Sequence, residues 1–123
     1  MRTKICIVED DKTIAGMYQF KLEHTGYDVR VAYDGREGLA LIKDFAPKIV
    51  LLDLRMPVMC GDVMLEKLRA TDWGGDIRVI ILTNISKAEA PQKLRFLNVD
   101  RYIVKAHYTP AQVVHIVDEV LAS

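Results

Sequence analysis

Short apolar runs alternate along the chain with longer stretches in which apolar residues recur at helical spacing. Strand-like runs that alternate with helix-like segments are typical of an α/β fold, in which helices cover both faces of a parallel sheet. Residues 49–52 and 79–82 are apolar at every position, which predicts central strands, whereas the alternating pattern at 28–33 predicts an edge strand. The five predicted strands are residues 4–8, 28–33, 48–53, 77–83 and 101–105.

The predicted helices lie between these strands, and residues at their ends favour helix starts and stops. Asp11, Asp34 and Thr109 each precede a helical pattern, where a side-chain oxygen can accept a free backbone N–H. Gly26 stands where a left-handed residue ends the first helix, and Pro47 prevents the second from continuing. The predicted helices are residues 12–24, 35–45, 61–70 and 90–97, and one that begins after Thr109.

The fourth helix is preceded by two conflicting signals. Ser86 and Glu89 have the spacing of a capping box, which would start a helix at that point. Pro91 would then occupy the fifth helical position, where it lacks a donor and clashes with the carbonyl four residues back. We therefore expect the helix to begin near Ala90, and we expect residues 85–89 to form a mobile loop.

Length and charge limit the class of protein. The 123 residues correspond to about one domain, and no output domain is expected within residues 1–123. The 17 basic and 17 acidic residues cancel, which argues against direct nucleic-acid binding. No apolar run approaches the ~20 residues needed to span a membrane, and the apolar run at residues 5–8 is too short for a signal peptide. Cys6 and Cys60 form no disulfide framework, so we predict a reduced, cytoplasmic protein.

Polar and charged residues follow four of the predicted strands. In open α/β sheets, functional sites lie beyond the carboxyl ends of the strands. Each residue alone has a plainer interpretation, such as a loop acid, a cap or a surface lysine, but their joint placement predicts a site. The residues are Glu9 and Asp10 after the first strand, Asp53 after the third, Thr83 at the end of the fourth and Lys105 at the end of the fifth.

The chemistry of this set favours a hard divalent cation and a phosphoryl group. Clustered carboxylates repel one another unless a cation is present, and Mg²⁺ prefers oxygen ligands. No His or Cys lies at these strand ends, which argues against zinc. A carboxylate beside Mg²⁺ can attack phosphorus and form an aspartyl phosphate. Thr83 and Lys105 could then bind the phosphoryl oxygens through a hydrogen bond and a positive charge.

The chain resembles the receiver domain of two-component response regulators from Lys4 to Leu121. The resemblance implies a flavodoxin-like (βα)5 sandwich with a five-stranded parallel sheet in the order 2-1-3-4-5. It rests on the order and spacing of four segments, which are Val8-Glu9-Asp10-Asp11, Leu52-Asp53-Leu54-Arg55-Met56-Pro57 with Gly61 following, Ile81-Leu82-Thr83 and Tyr102-Ile103-Val104-Lys105.

The resemblance also implies a role for each strand-end residue. Asp53 would accept a phosphoryl group from a histidine kinase or a phosphotransfer protein. Asp10 would bind Mg²⁺ directly together with Asp53, whereas Glu9 would act through water and Arg55 would supply a backbone carbonyl. Thr83 would sense the phosphoryl group, with Lys105 as its ion-pairing partner.

The family further implies how a signal would leave this site. Thr83 would turn toward the phosphoryl group, and Tyr102, the switch aromatic, would swing into the vacated space. The surface formed by the fourth helix, the fifth strand and the fifth helix would then change for a downstream target or output domain. Phosphorylation-dependent homodimerisation is a further partner interaction that the family admits, and no membrane is expected to take part.

The sequence departs from the family pattern near the site. Ala106 replaces the proline that usually follows the lysine, Asn84 is larger than the usual residue after the threonine, and Arg55 places a long cation at the mouth. Two alternatives stay open: a Mg²⁺-dependent phosphatase, and a degenerate receiver that acts only as a scaffold. Haloacid-dehalogenase-like phosphatases carry a second aspartate at the position of Arg55, which argues against the first. We expect no enzyme beyond turnover of the chain's own acyl phosphate.

Overall fold

The computed structural model describes residues 2–123 and contains one five-stranded parallel sheet with the strand order β2-β1-β3-β4-β5. This order confirms the flavodoxin-like topology. Within the described range, no helix combines the length and apolar character needed to cross a membrane. The strands are β1 (Lys4–Val8), β2 (Asp28–Ala32), β3 (Ile49–Leu52), β4 (Arg78–Thr83) and β5 (Arg101–Val104). The α-helices are α1 (Lys12–Thr25), α2 (Gly35–Phe45), α3 (Gly61–Arg69) and α4 (Pro110–Ala122).

The predicted caps set the helix ends. Asp11 Oδ1 accepts the N–H groups of Thr13 and Ile14, both at 3.0 Å, and so starts α1 directly after the acids that follow β1. Gly26 ends α1 in the left-handed region, with φ 112°. Thr109 and Gln112 form a reciprocal capping box at the start of α4. These local interactions explain why the helix starts were predictable.

The core has two layers because successive residues of a strand point to opposite faces of the sheet. Ile5 and Ile7 of β1 pack into a cluster with residues of α1 and α4. Cys6 and Val8 of the same strand pack on the other face, in a cluster with residues of α2 and α3. The apolar strands β3 and β4 contribute buried side chains to both clusters, which agrees with their predicted central positions.

The predicted fourth helix is wrong in type and in its start. Residues Lys87–Glu89 and Gln92–Phe96 form two 3-10 turns, which we call η1 and η2. Ala90 between them is extended, with ψ 149°, because the residue before a proline is driven out of the helical region. Ser86 does not cap the backbone; its hydroxyl donates to Glu89 Oε1 at 2.9 Å. The fourth crossover is therefore not an α-helix.

Arg69, the last residue of α3, fastens the end of η2 to the rest of the fold. Its guanidinium donates to the carbonyls of Leu97 and Asn98, both following η2, at 2.8 and 2.9 Å. It also donates to the carbonyls of Gly74, Gly75 and Ile77 in the connection to β4, at 2.9, 3.2 and 2.7 Å. One side chain thus joins two irregular segments that lack backbone pairing with each other.

Candidate functional site

The strand register brings the predicted site residues to one edge of the sheet. Val8 is level with Leu52, so Glu9 and Asp53 follow β1 and β3 side by side. Thr83 is level with Val104, which places Lys105 next to the end of β4. These residues share a cavity of about 390 Å³, which we call the acceptor cavity. Its lining includes Glu9, Asp10, Asp53, Arg55, Thr83 and Lys105.

Lys105 joins the buried acids of this cavity. Its Nζ donates to Asp53 Oδ2 at 3.1 Å and to Glu9 Oε1. The three side chains are nearly buried, since Lys105 keeps 11% of its side-chain exposure, Asp53 9% and Glu9 5%. No peptide bond between described residues is cis. The Lys105–Ala106 bond is therefore trans, and Lys105 contacts Asp53 with the bond in this form.

Burial and neighbouring charges shift the ionisation of this group. Burial raises the pKa of Glu9 to about 7, and the charge of Asp53 adds to the rise, while the hydrogen bond from Lys105 opposes it. Burial lowers the pKa of Lys105, but its hydrogen bond to Glu9 and the charges of Asp53 and Glu9 outweigh this effect and leave the pKa raised. Lys105 therefore stays charged at neutral pH between two acids.

The acids fit a hard divalent cation. Carboxylate oxygens of Glu9, Asp10 and Asp53 lie within 4.8 Å of one another. Glu9 already accepts Lys105 and, at 3.2 Å, the Asp11 N–H, whereas Asp10 is exposed. Oxygen ligands held this close, one of them exposed, suit an ion such as Mg²⁺ that retains several waters. The geometry leaves Asp10 freer than Glu9 to bind such an ion.

The two predicted switch residues contact the same loop residue. Thr83 Oγ1 accepts the Ile85 N–H at 3.4 Å, and the Tyr102 hydroxyl donates to the Ile85 carbonyl at 2.7 Å. Burial raises the pKa of Tyr102, and the charges of Asp53 and Glu89 add to the rise. A movement of Thr83 would therefore affect Tyr102, because the N–H of Ile85 contacts Thr83 and the carbonyl of the same residue contacts Tyr102.

The loop after Asp53 is held by a close approach and a strained turn. The N–H of Gly61 donates to the Leu54 carbonyl at 2.9 Å, and a Cβ at Gly61 would lie 2.1 Å from the Asp53 carbonyl oxygen. The Met59 N–H donates to the Pro57 carbonyl at 2.7 Å around Val58, whose φ is 68°. This is a γ-turn of the strained kind, and a β-branched residue at its centre is unusual.

Sequence analysis did not predict that Glu89 would be an acid of the acceptor cavity. Glu89 lines it together with Asn84, which the sequence had indicated near the site. The position of Glu89 depends on η1, and the expectation of a mobile loop over residues 85–89 gave no reason to place it there. Glu89 and Arg55 bring opposite charges to the same opening.

Comparison with known proteins agrees with this arrangement. The sequence family described as the response regulator receiver domain matches residues 5–118. The chain belongs to this family. The chain is also similar to the DNA-binding dual master transcriptional regulator RpaA of Synechocystis sp., with 35% identity over 86 residues. That match covers 70% of this chain and 36% of the relative, so the chain spans about a third of the relative's length.

Solved structures share the receiver fold over nearly the whole chain. The Vibrio cholerae chemotaxis protein CheY4 has a TM-score of 0.89 and 26% identity, covering 98% of this chain and 99% of that protein. A CheY-like receiver domain protein from Methanospirillum hungatei has a TM-score of 0.88 and 29% identity, covering 99% and 95%. The receiver domain described here thus keeps the family fold although its fourth crossover is 3-10.

Proposed function

We propose that this receiver domain is a phosphorylation-activated switch of a two-component phosphorelay, with Asp53 as the phosphoryl acceptor. The observation that carries the proposal is the placement of Asp53: its carboxylate is nearly buried, lines the acceptor cavity and is held by Lys105 Nζ at 3.1 Å. The Arg55 N–H orients the other oxygen, Oδ1, at 3.3 Å. A carboxylate oriented by two donors at an accessible cavity is a suitable nucleophile.

In the proposed reaction, a carboxylate oxygen of Asp53 attacks the phosphorus of a phosphohistidine on a sensor kinase or phosphotransfer protein. The new O–P bond forms as the P–N bond breaks, and the leaving imidazole keeps the electron pair and takes up a proton. Lys105 then transfers its hydrogen bond to a phosphoryl oxygen, and the Thr83 hydroxyl donates to another. The residues that would hold Mg²⁺ are Asp10 and Asp53 with the Arg55 carbonyl, and Glu9 would act through water. When bound, the ion would neutralise charge on the phosphoryl oxygens.

The proposed output follows from the shared contact at Ile85. Thr83 gives up the Ile85 N–H when it turns to the phosphoryl group, and the loop that holds Tyr102 is then free to shift. The surface formed by η1, η2, β5 and α4 would change for a downstream protein or for a second copy of the chain. DNA binding, which the relative's name states, is not part of the proposed function, because the matched region covers 36% of that protein. The only turnover we propose is that of the chain's own acyl phosphate.

The proposal is tested by incubating the protein with a small phosphodonor and Mg²⁺ and measuring its intact mass. We expect one phosphoryl group on the wild type and on Asp44→Asn, an exposed acid of α2 that serves as the control. We expect none on Asp53→Asn or in excess chelator. Full phosphorylation of Asp53→Asn would refute the assignment of the acceptor.

The output is tested by amide hydrogen exchange with and without a phosphoryl mimic. We expect the largest changes over residues 83–105, because the Ile85 contacts join Thr83 to β5. Changes confined to the loop after Asp53, with residues 85–97 unaffected, would contradict the proposed route.

A further inference from the structure

Glu89 brings a negative charge to the open side of the acceptor cavity. Its side chain is exposed, whereas Asp53, which lines the same cavity, keeps only 9% of its side-chain exposure. Arg55, also exposed, lines the cavity as well. The proposed acceptor is therefore nearly buried, and two opposite charges lie at the exposed part of the lining, which we call the mouth.

Two hydrogen bonds with Ser86 hold Glu89 in this position. The Glu89 N–H donates to the Ser86 carbonyl at 3.0 Å, and Glu89 Oε1 accepts the Ser86 hydroxyl at 2.9 Å. Ser86 is held in turn, because its carbonyl and that of Ile85 accept the Tyr102 hydroxyl at 3.4 and 2.7 Å. Glu89 is thus joined through Ser86 to β5.

The charge of Glu89 is not neutralised by contact. Glu89 forms no ion pair among residues 2–123, and neither does Arg55. Burial raises the pKa of Tyr102, and the charges of Asp53 and Glu89 both add to the rise. Because the charges of Glu89 and Asp53 act on the same hydroxyl, the charge of Glu89 should also act on a group that leaves from phosphorus at Asp53.

Phosphodonors differ in the charge of the group that leaves. In-line transfer places this group opposite the attacking oxygen of Asp53, and so toward the mouth. When the donor is a phosphoramidate, the P–N bond breaks, and the nitrogen keeps the electron pair and takes up a proton from water, so an amine without negative charge leaves. When the donor is an acyl phosphate, the P–O bond breaks, and a carboxylate leaves with the electron pair as an anion. A fixed negative charge at the mouth disfavours the anion.

We propose that Glu89 is a specificity-determining residue, which favours phosphodonors with a nitrogen leaving group over phosphodonors with a carboxylate leaving group. The proposal rests on the proposed function, because it requires transfer to Asp53, and it names the class of donor that the site prefers. Arg55 should act in the opposite sense, since a cation at the mouth stabilises an anion that leaves there.

The test compares the initial rates of phosphorylation by phosphoramidate and by acetyl phosphate at saturating Mg²⁺, measured by intact mass. The ratio of the first rate to the second is the readout, because a purely structural defect changes both rates together. We expect Glu89→Gln to lower this ratio about threefold and Arg55→Gln to raise it. The effect of Glu89→Gln should shrink as salt rises.

Two further variants test the position of the charge. Glu119→Gln removes an exposed acid of α4 and changes the net charge equally, so the ratio should stay within about 1.5-fold of the wild type. Ser86→Ala keeps the charge of Glu89 but removes the hydroxyl that holds it, so the ratio should fall by less than it does in Glu89→Gln.

The outcomes separate this proposal from the phosphorylation proposal. An unchanged ratio in Glu89→Gln, or an equal fall in Glu119→Gln, would overturn the role of Glu89 and leave Asp53 as the acceptor. If neither donor phosphorylates the wild type, the proposed function fails, and the selectivity proposal fails with it.

Discussion

Lys105 Nζ lies 3.1 Å from Asp53 Oδ2 although their strands, β5 and β3, are not neighbours in the sheet. β4 lies between them, and Thr83 ends it. The lysine side chain therefore spans the end of the intervening strand, and it lines the same cavity as Thr83, whose hydroxyl we propose to bind the phosphoryl group. The contact requires that all three strands end at a common edge.

Removal of Lys105 should destabilise the protein when Mg²⁺ is absent. Lys105→Ala leaves the nearly buried carboxylates of Glu9 and Asp53 without their cation, which should lower the free energy of unfolding by about 3 kcal/mol at pH 7. The loss should shrink as the pH falls, because the buried Glu9 carboxyl, whose raised pKa is no longer opposed by the hydrogen bond from Lys105, takes up a proton on folding in the variant. Denaturant titrations at several pH values measure both effects. An equal loss in Lys43→Ala, an exposed lysine of α2, would show that the effect is not specific to the acids.

Mg²⁺ affinity should depend more on Asp10 than on Glu9. Asp10 is exposed and free to bind the ion directly, whereas Glu9 is occupied by Lys105 and the Asp11 N–H. We expect Asp10→Asn to weaken binding more than Glu9→Gln does, because loss of an outer contact typically costs only about 10–100-fold in affinity. Calorimetric titration with Mg²⁺ gives the order, and the reverse order would overturn the assignment of the pair.

Loss of the Arg69 fork should loosen two segments at once. Arg69→Lys keeps the charge but cannot reach five carbonyls in a planar arrangement, so we expect about 2 kcal/mol of destabilisation. Amide exchange should accelerate in residues 71–77 and 92–99 together. Lys67→Met, on an exposed position of the same helix, should change neither. Acceleration in one segment alone would mean that Arg69 does not couple them.

Relief of the strained turn should stabilise the protein. Val58 is 75% exposed with φ 68°, a conformation that asparagine tolerates better than a β-branched residue. We expect Val58→Asn to raise the free energy of unfolding by about 1 kcal/mol. Val58→Ala keeps the Cβ and should gain less. A thermal melt in which Val58→Asn is no more stable than Val58→Ala would contradict this explanation.

The sequence was most informative where interactions are local. Asp11, Gly26 and Thr109 act within one turn of their own helices, so their positions could be predicted from neighbouring residues alone. The same was not true of residues 86–97. The conflict between the capping-box spacing and Pro91 led us to predict an α-helix from about Ala90. Ala90 is instead extended before Pro91, and residues 87–89 and 92–96 form η1 and η2.

The spacing of apolar residues and the ends of the predicted strands determined which residues reach the functional edge. The residues that follow parallel strands lie at the same edge of a sheet. The sequence by itself therefore determined that Asp53 and Lys105 would share that edge. Only the tertiary structure decided that Lys105 binds Glu9 as well as Asp53, and that Thr83 and Tyr102 share Ile85. These contacts join residues far apart in the chain, so they depend on register and side-chain packing that no local pattern encodes.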